Sequence, residues 1–376
     1  MSDRALHVVV VGVGIVGAAI AEALSLEGIR VTVVDRGTAG GGATGAGMGH
    51  IVVMDDSEAQ VALTAHSQRL WDERAHTLPP AGERQVRGTL WIAADDEEMA
   101  EVHRKHTFYR QRGIAAEILD AEQLKREEPV LRPGLSGGLL VPGDSVLYPP
   151  PIVDEMLETV WTHGGEVKLG RAVVSMTGNE VRLKDETLAC DFAVNATGVG
   201  AGTLTTGCDI RARKGHLVIT DRYPGFVRHQ LVELGYLKSA HSNTQSSVAF
   251  NVQPRPTGQV LIGSSRQFND ASPEINFSIL TQMLRRAVEY IPAISDLIAT
   301  RAWTGFRAAT PDKLPLIGPH PDDPHLVLAT GHEGLGITTS LGTARLVVDY
   351  IVGRTSAIPI APYLPARNMS VAAHAN

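Results

Sequence analysis

The hydrophobic pattern at the start of the chain alternates between strand-like and helix-like stretches. Residues 7–13 (His-Val-Val-Val-Val-Gly-Val) are β-branched without alternation, which is typical of a strand buried on both faces. A helical stretch, 18–27, ends at Gly28, and a second apolar strand, 29–34, ends in Asp35. This order predicts a β–α–β unit.

Glycines stand at the turn of this unit with the spacing Gly12-x-Gly14-x-x-Gly17. The first permits a tight turn, the second lets backbone approach a pyrophosphate, and the third lets the helix pack closely on the strand. The phosphates would lie against free N–H groups at the helix N-terminus. Asp35 would accept hydrogen bonds from both ribose hydroxyls. The pattern predicts a dinucleotide site rather than a turn without a nucleotide.

A stretch of small residues, 40–49, follows the second strand. A nicotinamide domain would continue here with a helix and a third strand. This stretch, with a hydroxyl at Thr44, instead suits a loop along the pyrophosphate and ribityl chain of a flavin. A flexible glycine-rich linker is the alternative interpretation.

Two later strands favour the flavin. Residues 192–198 form an apolar strand that ends in Ala-Thr-Gly. Residues 326–330 form another, followed by Gly331-His-Glu-Gly-Leu-Gly336 and a helix over 337–352. The N-terminus of that helix would point at a group with partial negative charge. The residues predicted to bind FAD are Gly12, Gly14, Ile15, Val16, Gly17, Asp35, Arg36, Thr44, Gly45, Ala46, Gly47, Met48, Ala196, Thr197, Gly198, Gly331, His332, Glu333, Gly334, Leu335, Gly336, Ile337 and Thr338.

These stretches, together with Trp303-Thr-Gly-Phe-Arg307 and the residues up to Gly318, resemble the D-amino-acid oxidase superfamily over almost the whole chain. The resemblance is to its glycine oxidase and sarcosine oxidase branch. In that family the stretch that matches residues 303–318 carries the substrate arginine, and residues 330–338 would cradle the isoalloxazine ring. More narrowly, residues 46–56 and 331–339 are similar to the catalytic subunit of bacterial D-hydroxyproline dehydrogenases.

The resemblance implies an α/β fold, with a Rossmann-type (glutathione-reductase-like) FAD domain and a mainly antiparallel-sheet substrate domain. The FAD domain is expected to be discontinuous, over 1–50, 146–210 and 301–376, with the substrate domain over 51–145 and 211–300. Local patterns predict further helices at about 57–77, 96–113, 149–163 and 276–290, and strands at about 88–93, 166–169, 215–220, 247–252 and 259–263.

Arg307 is the predicted anchor for a substrate carboxylate, because its planar fork gives two parallel hydrogen bonds. Pairing with Asp312 or exposure at the surface is the alternative. Where glycine oxidases carry a tyrosine, this chain has Asn251, and Tyr236 could take that role or be an ordinary half-buried residue.

Two histidines, His50 and His332, flank the predicted flavin loops. Each could face the substrate or be held by backbone hydrogen bonds. They complete the catalytic candidates, and no metal ligand is predicted. The cysteine that tethers the flavin in sarcosine oxidases would fall near Gly305, so the resemblance implies noncovalent FAD. Cys190 and Cys208 form no CxxC pair, which excludes a zinc or iron–sulfur site built from them.

The implied reaction is oxidation of an amino acid CH–NH bond to the imine by hydride transfer to flavin N5. The electrons then pass to an acceptor. The expected substrate is a D-amino acid or secondary amine, with cis-4-hydroxy-D-proline as first choice. Two alternatives stay open: a glycine oxidase-like enzyme that forms peroxide, and a noncatalytic electron-transfer flavoprotein subunit with partner subunits.

Charge and composition narrow the class of partner. The formal net charge is −7, whereas binding to nucleic acid needs a clustered basic face. The apolar run Val8–Val11 is too short to span a membrane and lacks the flanks of a signal peptide. The sequence thus predicts a cytoplasmic protein that acts on a small-molecule amino acid.

Overall fold

The computed structural model describes residues 6–235 and 246–369. Its strands are, in chain order, β1 (His7–Val11), β2 (Arg30–Val34), β3 (His50–Ile51), β4 (Gln85–Val86), β5 (Thr89–Ala93), β6 (Glu117–Asp120), β7 (Gly137–Val141), β8 (Ser145–Val146), β9 (Glu166–Lys168), β10 (Val173–Thr177), β11 (Glu180–Leu183), β12 (Thr187–Ala189), β13 (Phe192–Asn195), β14 (Arg211–Arg222), β15 (Gln230–Glu233), β16 (Ser246–Pro254), β17 (Gln259–Gln267), β18 (Ala299–Ala309), β19 (Leu316–His320) and β20 (Asp323–Thr330). Its α-helices are α1 (Ile15–Leu26), α2 (Gly42–Ala46), α3 (Glu58–Glu73), α4 (Asp96–Gln111), α5 (Ala121–Glu127), α6 (Pro149–Thr162), α7 (Ala201–Leu204), α8 (Phe277–Tyr290) and α9 (Gly336–Val352).

The chain divides into two compact units, each described here by itself. The first unit comprises Met1–Gly82, Tyr148–Ala212 and Phe306–Asn376. The second unit comprises Glu83–Leu147 and Arg213–Gly305.

The first unit is built on a six-stranded sheet of order β19-β20-β13-β1-β2-β9. Five of these strands are parallel, and β19 pairs antiparallel with β20 at the edge. Every residue of β1 is buried, as its unbroken β-branched run predicts. A separate antiparallel sheet, β10-β11-β12, also belongs to this unit. The predicted Rossmann-type arrangement is confirmed.

Helix α9 organises the helical layer of the first unit, packing against both α1 and α3. The indole Nε1 of Trp71, on α3, donates to the carbonyl oxygens of Ile337 (3.2 Å) and Thr338 (3.1 Å). Residues 51–82 therefore group with the first unit, although the family resemblance alone would place them in the substrate domain. Local pattern could not show this, because α3 is an amphipathic helix whose partner lies more than 260 residues away.

The second unit contains an eight-stranded, mainly antiparallel sheet of order β18-β14-β17-β16-β15-β5-β7-β6. Helix α8 packs on β16 and β17 around a buried core that includes Phe250, Ile262 and Met283. This matches the predicted fold class.

Strand β14 begins at Arg211 rather than at residue 215, because buried polar side chains extend it. Lys214 pairs with Asp270 (Nζ to Oδ2, 2.9 Å), and the ring Nδ1 of buried His216 lies 2.9 Å from Oγ of Ser265. A hydrophobicity pattern does not register strand residues that are buried through polar partners.

Two other differences concern helices. Residues 40–49 were predicted to be a loop, yet they contain the short helix α2. Helix α1 begins at Ile15, three residues before its predicted start.

By length and composition, the stretch Glu333–Val352 could cross a membrane, with a mean hydropathy of 1.2. However, 61% of its most apolar 18-residue window is buried inside the protein, and most of the stretch forms α9. Core helices commonly pass the same test, so this stretch is weak support for a membrane span.

Candidate functional site

The turn after β1 brings two strand ends and α1 into very close contact. Gly12 has a left-handed φ of +102°, and a Cβ there would lie 2.5 Å from the carbonyl oxygen of Ala196. A Cβ on Gly17 would lie 1.9 Å from the carbonyl oxygen of Gly12. Both positions therefore require glycine. At Gly12 this geometry makes the tight turn possible, and at Gly17 it allows the helix to pack closely against the turn.

The N-terminus of α1 faces α2. Gly14 occupies the N-cap, where it supplies no side-chain hydrogen bond, and the N–H of Ile15 donates to Oγ1 of Thr44 at 3.0 Å. Thr44 is buried, and a Cβ on Gly14 would lie 3.1 Å from its hydroxyl. The hydroxyl that the sequence analysis placed in a loop thus comes from a helix and lies against the positive end of α1.

Asp35 lies just beyond the end of β2 and supports the glycine turn. Its Oδ2 accepts from the N–H of Val13 at 2.6 Å, and its Oδ1 accepts from the N–H of Gly37 at 2.7 Å. A carboxylate has about four acceptor sites. Each oxygen therefore keeps capacity for a further donor, as the predicted contact with two ribose hydroxyls requires. The neighbouring Arg36 is exposed.

Asn195, at the end of β13, is a site residue that the sequence analysis did not identify. It is fully buried, and its Nδ2 donates to the carbonyl oxygen of Ala201 (3.2 Å) and to Oγ1 of Thr205 (2.9 Å). Its Oδ1 accepts from Oγ1 of Thr197 at 2.7 Å. Thr330 adds a hydrogen bond from its Oγ1 to the carbonyl oxygen of Gly198 at 3.0 Å. The only sequence signal for Asn195 is a polar residue that ends an apolar strand.

The loop between β20 and α9 is fixed through His332. His332 forms an antiparallel bridge with Ala309, and its ring Nε2 lies 3.0 Å from Oγ1 of Thr343 on α9. Burial lowers the pKa of His332 to about 3, so the ring is neutral at physiological pH. This environment favours a histidine held in place over one that exchanges protons with a substrate.

His50 is tied to the same helix through its backbone. Oγ1 of Thr338 donates to the carbonyl oxygen of His50 at 2.8 Å and accepts from the N–H of Val52 at 3.3 Å. Thr338 was predicted to bind the flavin, and here it fastens β3 to the N-terminal part of α9. The His50 ring is half-buried.

Arg307 lies on β18 beside the loop that leads into α9. A Cβ built on Gly334 would be 3.9 Å from Nε of Arg307, and the arginine is half-buried. The alternative partner, Asp312, is engaged by a different arginine: Nε of Arg367 donates to its Oδ2 at 2.7 Å. The structure therefore brings Arg307 together with the 331–336 loop, in the same unit as the glycine turn.

The two remaining catalytic candidates are Asn251 and Tyr236. Asn251 lies on β16 in the second unit and is buried, and its Oδ1 has no hydrogen-bond partner among the residues that the structure describes. Tyr236 lies outside the described residues.

Both cysteines are buried in the first unit, away from solvent. Burial raises the pKa of the Cys190 thiol to about 12 and that of Cys208 to about 11, with nearby carboxylates adding to the effect. The thiolate is the reactive form of cysteine, so both side chains are inert at physiological pH.

Comparison with known proteins assigns the chain that carries this site to a family. The model of the DAO family, described as FAD dependent oxidoreductase, matches residues 7–350. The chain belongs to this family. It is therefore an FAD-dependent oxidoreductase.

Individual relatives of this protein align along nearly the whole chain. The glycine oxidase of Geobacillus kaustophilus is 24% identical over 371 residues, covering 96% of this chain and 97% of the relative. The hydrogen cyanide synthase subunit HcnC of Pseudomonas aeruginosa is 27% identical over 423 residues, covering 97% of both. The crystal structure of glycine oxidase from Geobacillus kaustophilus superposes with a TM-score of 0.86 at 25% identity, covering 96% of this chain and 99% of that one.

The residues of the first unit fit the FAD that the DAO family uses. The glycine turn lies at the N-terminus of α1, where backbone N–H groups favour a pyrophosphate. At Gly14, in this turn, a Cβ would approach the hydroxyl of Thr44 to 3.1 Å, and glycine leaves that space clear. Asp35 has acceptor capacity at the position where the second strand ends. The N-terminus of α9 supplies a second positive helix end in the same unit.

Proposed function

We propose that this protein oxidises the CH–NH bond of an amino acid, with Arg307 holding the substrate carboxylate. The observation that carries the proposal is the position of Arg307 beside Gly334, at the start of the segment that leads into α9. A guanidinium there offers a bidentate site for a carboxylate. Relatives named glycine oxidase support an amino acid as the substrate.

In this proposal the chain binds and orients the substrate rather than activating it. FAD, when bound, supplies the acceptor for the hydride that leaves the α-carbon. The nitrogen lone pair of the neutral amine forms the C=N bond as the hydride departs, giving an iminium ion. Because the reactive amine is already deprotonated, the side chains need only hold the α-hydrogen towards the hydride acceptor and exclude water. The buried, neutral His332 suits such a site, since it adds no competing charge.

The proposed substrate of first choice is cis-4-hydroxy-D-proline. Its support is the similarity of residues 46–56 and 331–339 to the catalytic subunit of D-hydroxyproline dehydrogenases. Glycine is the second candidate, because several relatives of this chain are named glycine oxidase. A cytoplasmic location belongs to the same proposal.

An anaerobic screen of flavin reduction separates these substrates. The purified protein is mixed with hydroxyproline isomers, D-amino acids, N-methyl amino acids and glycine, and loss of the yellow flavin absorption is followed. Fast bleaching by one compound identifies the substrate. No bleaching by any amino acid would favour the alternative of an electron-transfer subunit, which the subunit name of the Pseudomonas aeruginosa relative keeps open. Reoxidation by air compared with a dye then distinguishes an oxidase from a dehydrogenase.

Substitution of Arg307 tests its proposed function. Arg307→Ala would leave a buried carboxylate unpaired, which costs about 3–5 kcal/mol, or roughly a hundred- to several-thousand-fold in kcat/KM. Arg307→Lys recovers only part, because a point charge does not reproduce the planar fork. FAD content is expected to stay at the wild-type level. A kcat/KM within about threefold of wild type, or loss of FAD together with activity, contradicts this function.

A further inference from the structure

The end of the described chain folds back on the first unit as a C-terminal arm, residues 361–369. It contains two short 3-10 helices, Ala361–Tyr363 and Pro365–Arg367. The hydroxyl of buried Tyr363 donates to the carbonyl oxygen of Ala59 at 2.6 Å, and Met369 forms a β-bridge with Cys208. The arm is therefore anchored on both sides of Arg367.

Arg367 uses its guanidinium to hold one turn of the chain. Its Nε donates to Oδ2 of Asp312 at 2.7 Å, while its Nη2 donates to the carbonyl oxygens of Leu314 (2.6 Å) and Pro315 (2.9 Å). Its Nη1 donates to the carbonyl oxygen of Leu364, within the arm, at 3.0 Å. Because one planar guanidinium binds the Asp312 carboxylate and both carbonyl oxygens at once, it fixes the path of the backbone over residues 312–315.

The turn that Arg367 holds is strained and has further internal hydrogen bonds. Lys313 has a left-handed φ of +64°, which is unfavourable for a residue other than glycine. Oγ1 of Thr310 donates to the same Leu314 carbonyl that Arg367 binds, at 2.8 Å. The charge and hydrogen bond of Arg367, working against burial, hold the pKa of Asp312 below its usual value, so this carboxylate stays ionised at physiological pH.

This turn directly follows the strand that carries Arg307. Thr310 is three residues after Arg307, and its methyl group would be only 2.5 Å from a Cβ on Gly331. Ala309, the last residue of β18 and the one before Thr310, forms the bridge with His332. The end of β18 is thus held between the 331–332 loop on one side and the Arg367 contacts on the other. Movement of the turn would move Arg307 relative to Gly334.

We propose that Arg367 is a positioning residue for Arg307, setting the orientation of the carboxylate anchor through the 310–315 turn. The inference rests on the proposed function of Arg307. Arg367 is not assigned a contact with substrate or FAD, so its loss should weaken carboxylate binding more than the chemical step.

The test compares variants of the FAD-loaded protein by their affinity for pyrrole-2-carboxylate, followed through the flavin absorption. Arg367→Ala should raise the Kd for pyrrole-2-carboxylate about tenfold. The KM for the amino acid that reduces the flavin should rise in parallel, and kcat should change by less than about threefold. Arg367→Lys should be intermediate, because a lysine keeps the charge for Asp312 but cannot span both carbonyls. Arg354→Ala is the matched control, since that surface arginine pairs with Glu27 (2.7 Å) and Asp349 (3.3 Å) far along α9.

A double variant shows whether Arg367 acts through Arg307. If it does, Arg307→Ala/Arg367→Ala binds pyrrole-2-carboxylate no more weakly than Arg307→Ala alone. A second readout, independent of activity, is tryptic cleavage after Lys313, identified by mass spectrometry. Cleavage should be several-fold faster in Arg367→Ala than in wild type, and unchanged in Arg354→Ala.

The outcomes separate the two proposals. If Arg307→Ala leaves the Kd unchanged, the function proposed for Arg307 is wrong. If Arg307→Ala weakens binding while Arg367→Ala and Arg367→Lys match wild type, or if the double variant shows additive losses, the positioning inference is overturned. Loss of FAD from Arg367→Lys would also overturn it, because the residue would then support cofactor binding.

Discussion

At the scale of single residues, the glycines of the first turn differ in what surrounds them. Around Gly17 the nearest atom to an added Cβ is a backbone carbonyl oxygen at 1.9 Å, which cannot move without breaking the turn. Around Gly14 it is the hydroxyl of Thr44 at 3.1 Å, the end of a side chain. Gly17 is therefore required by the fold, whereas Gly14 is required mainly by the ligand that binds next to it.

We expect Gly17→Ala and Gly14→Ala to separate folding from cofactor binding. Gly17→Ala should lower the free energy of unfolding of the apoprotein by at least about 3 kcal/mol, because the overlap is with backbone. Gly14→Ala should change it by less than about 1 kcal/mol, yet raise the Kd for FAD at least about tenfold, since the Cβ occupies the approach of the pyrophosphate. Urea unfolding and FAD titration measure the two effects. Equal losses of stability would contradict this distinction.

Residues that belong to a short motif with fixed spacing could be predicted, and residues that are distinguished only by contacts with remote parts of the chain could not. Gly12, Gly17 and Asp35 lie in one short segment whose spacing alone carries the dinucleotide motif. Asn195 and Arg367 gave no comparable signal. Arg367 binds Asp312, 55 positions earlier, and a surface-like Pro-Ala-Arg sequence does not reveal that contact.

At the scale of elements, α9 is the helix on which most of the site depends. It receives Trp71 from α3 and fastens β3 through Thr338, and Thr343 holds the ring of His332. The sequence analysis predicted its existence and its start within one residue, because Gly331–Gly336 and the apolar run after it are distinctive. Helix α2 was missed, since five residues of glycine, alanine and threonine have little helical propensity of their own.

The buried His332 ring makes the stability of this region depend on pH. The folded-state pKa, about 3, is below the ordinary value of 6.5, so between these values the unfolded chain binds a proton that the folded chain does not. Stability should therefore rise with pH across this window, by up to about 1.4 kcal/mol per pH unit from this group. Urea unfolding between pH 4 and 6.5 should show a shallower slope in His332→Gln than in wild type. An identical slope would mean that the ring is protonated in the folded protein.

At the scale of the whole molecule, the fold class, with one mainly parallel and one mainly antiparallel sheet, matches expectation. Residues 51–82 group with the first unit because α3 packs on α9. The family resemblance supplied the overall order of segments. The contact between α3 and α9 depends on side-chain packing that neither helix specifies alone.

We expect FAD to be held without a covalent bond. Cys190 and Cys208 are buried, with thiol pKa values raised to about 12 and about 11, so neither can supply a thiolate for a thioether link. Acid precipitation should release all of the yellow colour into the supernatant. The double variant Cys190→Ser/Cys208→Ser should carry the same amount of FAD per chain. Colour retained in the washed pellet would show attachment through another side chain.

The order of strands in the first sheet has a consequence for the synthesis of the protein. Strand β1 is translated just before β2, but its other neighbour β13 follows about 185 residues later, and β20 and α9 come more than 310 residues after β1. At 5–20 residues per second, a ribosome needs on the order of tens of seconds to supply them. Until then β1 can pair with β2 on one side only, and the edge that β13 covers in the folded protein stays open. The six-stranded sheet, and with it the complete FAD site, therefore closes only after β20 and α9 have been synthesised.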